Sequence, residues 1–179
     1  VLKLKFTGNF VLNSSKKKVW ENLNNIEVLK KCIDGCEEFL YLDNNKFNAK
    51  ILIKLGPVNA SFRCSIEINN IIEEESYEII AQGNAGQLGN ASGKVIIFLK
   101  EIDKTTVLNY EADTRINGRI AQLGSRLIDG SVKKNTDLFF QNFSKVLNED
   151  SKVILDDKEN NSTIKKVKVL ICLILLFLI

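Results

Sequence analysis

The stretch Phe47-Asn-Ala-Lys-Ile-Leu-Ile-Lys-Leu-Gly-Pro-Val-Asn-Ala-Ser-Phe-Arg-Cys-Ser-Ile-Glu-Ile68 alternates, turns once and alternates again. Phe47, Ala49, Ile51, Ile53 and Leu55 form one stripe, and Val58, Ala60, Phe62, Cys64, Ile66 and Ile68 form the next. Successive side chains of a strand point to opposite faces, so each run reads as a strand with one buried face. Gly56-Pro57 between them has the chemistry of a turn. The two runs predict an antiparallel pair at the centre of a sheet.

Outward from this pair the same period recurs. Strands are expected near 38–42, at 77–83, 91–99 and 107–116, and at 2–12, where Leu2, Leu4, Phe6, Phe10 and Leu12 oppose Lys3, Lys5, Thr7 and Asn9. Between the first strand and the rest, Asn13-Ser14-Ser15 supplies cap chemistry for a helix carrying Val19, Trp20 and Leu23, and a second short helix is read over 26–33. After Asn117-Gly118 the period becomes helical, with Ile120, Leu123, Leu127, Ile128, Val132, Phe139, Phe143, Val146 and Leu147 on one broad face. That predicts a terminal helix of roughly 28 residues. The fold class is therefore α+β: a curved antiparallel sheet of about seven strands gripping a long helix, with a pocket between them. Gly124 and Gly130 fall inside the expected helix, where glycine costs about 1 kcal/mol relative to alanine. Close backbone approach would explain them, and so would plain packing against bulky neighbours.

Residues 1–147 read as one domain, 148–163 as a polar linker and 164–179 as a hydrophobic tail. The tail sets Lys165, Lys166 and Lys168 before eleven uninterrupted apolar residues, Leu170, Leu173, Leu176 and Phe177 among them. It reads as a membrane anchor with the lysines at the lipid headgroups. Eleven residues at about 1.5 Å each cover roughly half of a hydrocarbon core, which favours peripheral or reversible anchoring over spanning, unless they open a longer helix. Residues 1–150 carry 20 basic against 19 acidic side chains, and only Lys16, Lys17 and Lys18 cluster, so nucleic acid is not an expected partner. The chain opens directly on alternating strand residues, and a cytoplasmic, reducing location is expected.

Histidine is absent, which removes the commonest general base, the Ser-His and Cys-His nucleophile pairs and mixed Cys/His zinc sites. Of four cysteines, Cys172 lies in the tail, so no four-thiolate metal site is expected; Cys32 and Cys36 read as small buried hydrophobes. Neither a catalytic constellation nor a metal site is expected. Gly83-Asn-Ala-Gly-Gln-Leu-Gly-Asn-Ala-Ser-Gly93 lacks the Lys-Ser/Thr of a phosphate-binding loop and reads as a strand-to-strand turn with bulges. Glu111, Asp113 and Arg115 alternate with Tyr110, Ala112, Thr114 and Ile116; the charged set is expected in solvent and the other on the pocket wall. Strand alternation and helical spacing turn Phe47, Ile51, Phe62, Tyr110, Ala112, Leu123 and Leu127 inward, and these are the candidate ligand-binding residues.

Two motifs carry a family resemblance. Ala121-Gln-Leu-Gly-Ser-Arg-Leu-Ile-Asp-Gly130, followed by Phe139-Phe140, resembles a signature of the carbon monoxide dehydrogenase G-subunit family, within the START-like helix-grip superfamily. Val28-Leu-Lys-Lys-Cys-Ile-Asp-Gly-Cys-Glu37 resembles its second motif, with Asp34 where the family often has proline. The resemblance implies a non-catalytic accessory protein that recruits a CO-dehydrogenase-type molybdenum hydroxylase to the cytoplasmic face of the cell membrane. It implies a quinone or similar isoprenoid lipid as the non-covalent ligand. Because it is concentrated at the start of the long helix, Gln122, Ser125, Arg126 and Asp129 are the candidate partner-binding residues. The alternative function is that of a small-molecule cyclase or hydrolase, since the same superfold hosts both.

Overall fold

The computed structural model describes residues 1–153; the expected tail, with Lys165, Lys166, Lys168, Leu170, Leu173, Leu176 and Phe177, lies outside them. The elements follow in the order β1 (Leu2–Leu12), α1 (Lys16–Leu23), α2 (Ile26–Cys32), β2 (Cys36–Tyr41), β3 (Lys46–Leu55), β4 (Val58–Ile72), β5 (Ser76–Asn84), β6 (Asn90–Ile102), β7 (Thr105–Asn117) and α3 (Ser125–Val153). The seven strands form one sheet in the order β1-β7-β6-β5-β4-β3-β2, antiparallel throughout. Consecutive strands β2 to β7 are therefore neighbours, and β1 closes the far side on β7.

Local chemistry fixes the joints. Ser15 caps α1 by accepting from the Lys18 amide at 3.4 Å, and Asn25 caps α2 by accepting from Glu27 and Val28. Asn44 and Asn45, with φ of 44° and 61°, turn β2 into β3 in the left-handed region that asparagine tolerates best among residues with a Cβ.

The core lies between the inward faces of the strands and α3. Inward residues of β3 and β4 are buried in strict alternation, from Phe47 to Leu55 and from Ala60 to Ile68. From α3 they meet Ile128, Val132, Phe139, Phe140, Phe143 and Leu147, with Phe139 stacked on Phe143 at 5.6 Å. Full burial of one such large side chain contributes about 1.5 to 3 kcal/mol.

Four expectations are corrected here. Ile120 and Leu123 lie not on the long helix but on a 3-10 turn, Ile120–Leu123, and α3 begins only at Ser125. Gly124 is the break between the two, at φ 84°, so it is not a helix-interior residue. At the other end the helix continues to Val153, through 148–153 of the stretch read as linker. Finally, β5 and β6 pair without a register shift, so the loop between them contains a short 3-10 turn, Gly86–Leu88, and no bulge.

Gly130 does lie inside α3, and a Cβ there would meet nothing within 4 Å. Close backbone approach does not explain this glycine. Alanine at 130 should therefore raise the unfolding free energy by about 0.5 to 1 kcal/mol through helix propensity alone. A urea titration would detect it as a higher midpoint; a lower midpoint would mean that the position is constrained in a way its free space does not reveal.

Candidate ligand-binding site

The helix does not cover the sheet evenly. Leu2, Leu4, Phe6 and Phe10 point inward from β1 but remain half-buried, whereas the inward residues of β3 and β4 are fully buried. Between β1 and α3 a groove of about 490 Å³ remains, within the range of small-molecule sites. Its apolar lining comes from Leu4, Phe6, Phe10 and Val132, with Tyr110 and Thr136 as polar groups among them. Asp129, Lys133 and Asp137 line it from α3, and Lys5 and Thr7 from β1.

The position of Tyr110 depends on a glycine. Gly8 is the residue paired with Tyr110 across β1 and β7, and a Cβ at position 8 would come within 2.6 Å of the phenol oxygen. Without a side chain there, the ring lies over β1, its centroid 6.1 Å from that of Phe10. Phe10 in turn stacks on Phe140 of α3. Burial, reinforced by the Asp137 carboxylate, holds the Tyr110 phenol above its usual pKa, so it is protonated at neutral pH.

Thr136 sits on the buried stripe of α3 four residues after Val132, at 2% exposure. Its Oγ1 has no hydrogen-bond partner among the described residues, in contrast to the other two buried threonines. Thr106 donates to the Ser14 carbonyl at 2.7 Å, and Thr114 to the Leu4 carbonyl at 3.3 Å. A hydroxyl buried without a partner costs about 1 to 3 kcal/mol. The sequence reading missed Thr136. Its signal was a polar residue at the spacing of an otherwise apolar stripe.

A larger concavity, of about 790 Å³, lies on the opposite face of the sheet. Asn48, Ser65, Gln82 and Ser92 form one cross-strand row of it, and Lys50, Arg63, Asn84 and Asn90 the next. Lys50 pairs with Glu37 at 2.6 Å. These polar rows do not suit an apolar ligand, and the smaller β1–α3 groove does.

Of the candidate ligand-binding residues, Phe47, Ile51, Phe62 and Ala112 are packed into the core at 0 to 4% exposure. Tyr110 lines the groove. Leu127 is half-buried against Gly56 in the β3–β4 turn, and Leu123 is half-buried on the 3-10 turn. The structure thus puts the seven on the inner side of the fold without gathering them around one opening. Gln122, Ser125, Arg126 and Asp129 are all exposed and adjoin one another at the start of α3. Glu111, Asp113 and Arg115 face solvent, with Lys5 and Asp113 3.4 Å apart at the surface. Cys32 and Cys64 are buried, and burial raises their thiols to about 11 and about 12, which leaves them un-ionised; Cys36 is only partly buried and also raised by burial.

A seven-stranded sheet in this order, two short helices between β1 and β2, and a long helix across the inner face define the START-like helix-grip fold. Solved structures agree. A START superfamily protein from Mycobacterium smegmatis superimposes with a TM-score of 0.62 at 6% identity, over 81% of this chain and 97% of its own. The Zhui aromatase/cyclase from Streptomyces sp. R1128 gives 0.63 at 9%, over 86% and 98%. Both are likenesses of fold alone. A conserved protein from Geobacillus kaustophilus is nearer in sequence, at 26% identity with a TM-score of 0.77, over 82% of this chain and 96% of that one. No curated protein matches the sequence. The chain belongs to the carbon monoxide dehydrogenase G-subunit (CoxG) family, whose model matches residues 8–148.

Proposed function

We propose that this chain is a non-catalytic accessory protein that holds a CO-dehydrogenase-type molybdenum hydroxylase at the cytoplasmic face of the cell membrane and carries a quinone or similar isoprenoid lipid. The observation that carries the reading is the family match over 8–148, which takes in nearly all of the sheet and most of α3. The apolar β1–α3 groove supports the ligand-holding part, because buried apolar area supplies about 25 cal/mol per Å² and needs few polar groups to fix a head. The absence of histidine from the sequence supports the non-catalytic part. Mooring falls to the apolar tail.

The exposed group of Gln122, Ser125, Arg126 and Asp129 is the docking surface in this reading. Arg126→Glu reverses a charge there without disturbing the core, and should weaken capture of the hydroxylase by about tenfold or more, as charge reversal within an interface commonly does. Pull-down with the folded variant tests it. Capture equal to that of the unmodified chain would remove this surface from the docking assignment.

A further inference from the structure

We propose that the β1–α3 groove is a head-group site selective for an amphiphile with an uncharged, hydrogen-bonding head over an anionic one such as a fatty acid. The proposal rests on the ligand-holding reading above and adds which part of the molecule grips the head and what chemistry it accepts. Three observations converge. The first is the groove itself, about 490 Å³, whose apolar walls, Leu4, Phe6, Phe10 and Val132, suit an alkyl or isoprenoid chain.

The second is Thr136. It lines the same groove, it is buried, and its hydroxyl is unpartnered where Thr106 and Thr114 both donate to a carbonyl. Threonine has alternative χ1 rotamers within a helix, so its hydroxyl is able to turn toward a ligand in the groove without movement of the backbone. An alcohol head both donates and accepts, and therefore satisfies it in either sense.

The third is the charge around the groove. Asp137 lines the groove together with Tyr110, whose phenol burial and, after it, the Asp137 carboxylate push up, and Asp129 stands two helical turns earlier. Lys133 is exposed between them, and Lys5 faces Asp113 at 3.4 Å on the outer side of β1. A ligand carboxylate set near Thr136 would lie beside the half-buried Asp137 carboxylate, a like charge on the adjoining residue. A neutral head meets no such opposition, and the protonated Tyr110 offers it a second polar neighbour.

Isothermal titration calorimetry of the full chain with dodecanol and, separately, dodecanoate at pH 8 tests the site. The alcohol should bind about tenfold more tightly than the carboxylate, given the like charge at Asp137. Thr136→Val should weaken the alcohol by about fivefold, the scale of one lost hydrogen bond, while the melting temperature stays level or rises because an unsatisfied hydroxyl has gone. Asp137→Asn should close most of the gap between the two probes. Alcohol binding indifferent to Thr136→Val overturns the head-group site and leaves the carrier reading standing. Equal binding of both probes to the unmodified chain overturns the selectivity. Failure of the unmodified chain to take up either probe overturns the carrier reading along with it.

Discussion

Replacing Gly89 with alanine should cost about 3 kcal/mol or more, a large share of the stability of a domain this size. Gly89 ends the 3-10 turn between β5 and β6 with φ 127° and ψ −160°, a combination that only glycine adopts without strain. An added Cβ would also collide with the carbonyl oxygen of Asn117 and come within 3.0 Å of the Gly118 Cα. Both obstacles are backbone, so no rotamer change relieves them. The corner they share joins three strands: Ala85 donates to the Gly89 carbonyl at 2.9 Å, and Asn117 donates through Nδ2 to Asn90 at 3.0 Å. From this corner the chain enters the 3-10 turn Ile120–Leu123 that precedes α3. Gly86→Ala is the matched control. It shares the turn and a positive φ of 60°, yet a Cβ there meets nothing within 4 Å, and it should cost only about 1 kcal/mol. Urea unfolding of both variants tests this; equal losses would show that neither the Gly89 backbone conformation nor the Asn117 contact adds to the cost of a positive φ in this turn.

How much of this was legible beforehand divides along a physical line. The strands were readable because alternation depends only on which residues are buried, and β3 obeys it from Phe47 to Leu55 and β4 from Ala60 to Ile68. The start of α3 was misread because Ile120 and Leu123 do fall at helical spacing. Periodicity has no term for a single φ of 84° at Gly124, and glycine inside a helix is penalised by only about 1 kcal/mol, too little to contradict the pattern. The far end was misread in the opposite sense. Beyond Leu147 the apolar stripe stops, but helix propagation depends on backbone bonding and propensity as well as on a buried face, so α3 persists to Val153.

The site was half legible for a related reason. Tyr110 and Ala112 were correctly turned inward by alternation, and so were Phe47, Ile51 and Phe62. Alternation assigns a face, though, and cannot say how far a helix reaches across it. The groove exists because α3 leaves the β1 residues Leu4, Phe6 and Phe10 half-covered, and that offset arises from packing across long sequence separations. Gly8 opposite Tyr110 is likewise meaningful only once the β1–β7 register is known.

A chain ending at Asn161 should leave the membrane fraction, and this is the largest effect expected of any change outside the described residues. The eleven apolar residues of 169–179 contribute about 0.3 to 0.6 kcal/mol each on insertion, so about 3 to 7 kcal/mol together. Lys165, Lys166 and Lys168 add about 1 kcal/mol each near an anionic surface. The sum corresponds to a partition coefficient of about ten-thousandfold or more, all of it removed by the truncation. What remains, residues 1–161, has 22 basic and 22 acidic residues, too even a balance to hold an anionic surface by net charge. Among the described residues, no helix is long and apolar enough to cross a bilayer. Flotation with vesicles distinguishes the two contributions of the tail: zwitterionic lipid should keep the apolar part of the affinity, and anionic lipid should add a part that falls with salt. Circular dichroism would establish that the shortened chain keeps its sheet and helix. Should that folded, shortened chain float with vesicles as fully as the intact one, the anchor belongs to the domain, and the exposed Leu40, Tyr41 and Leu42 at the end of β2 become the place to look for it.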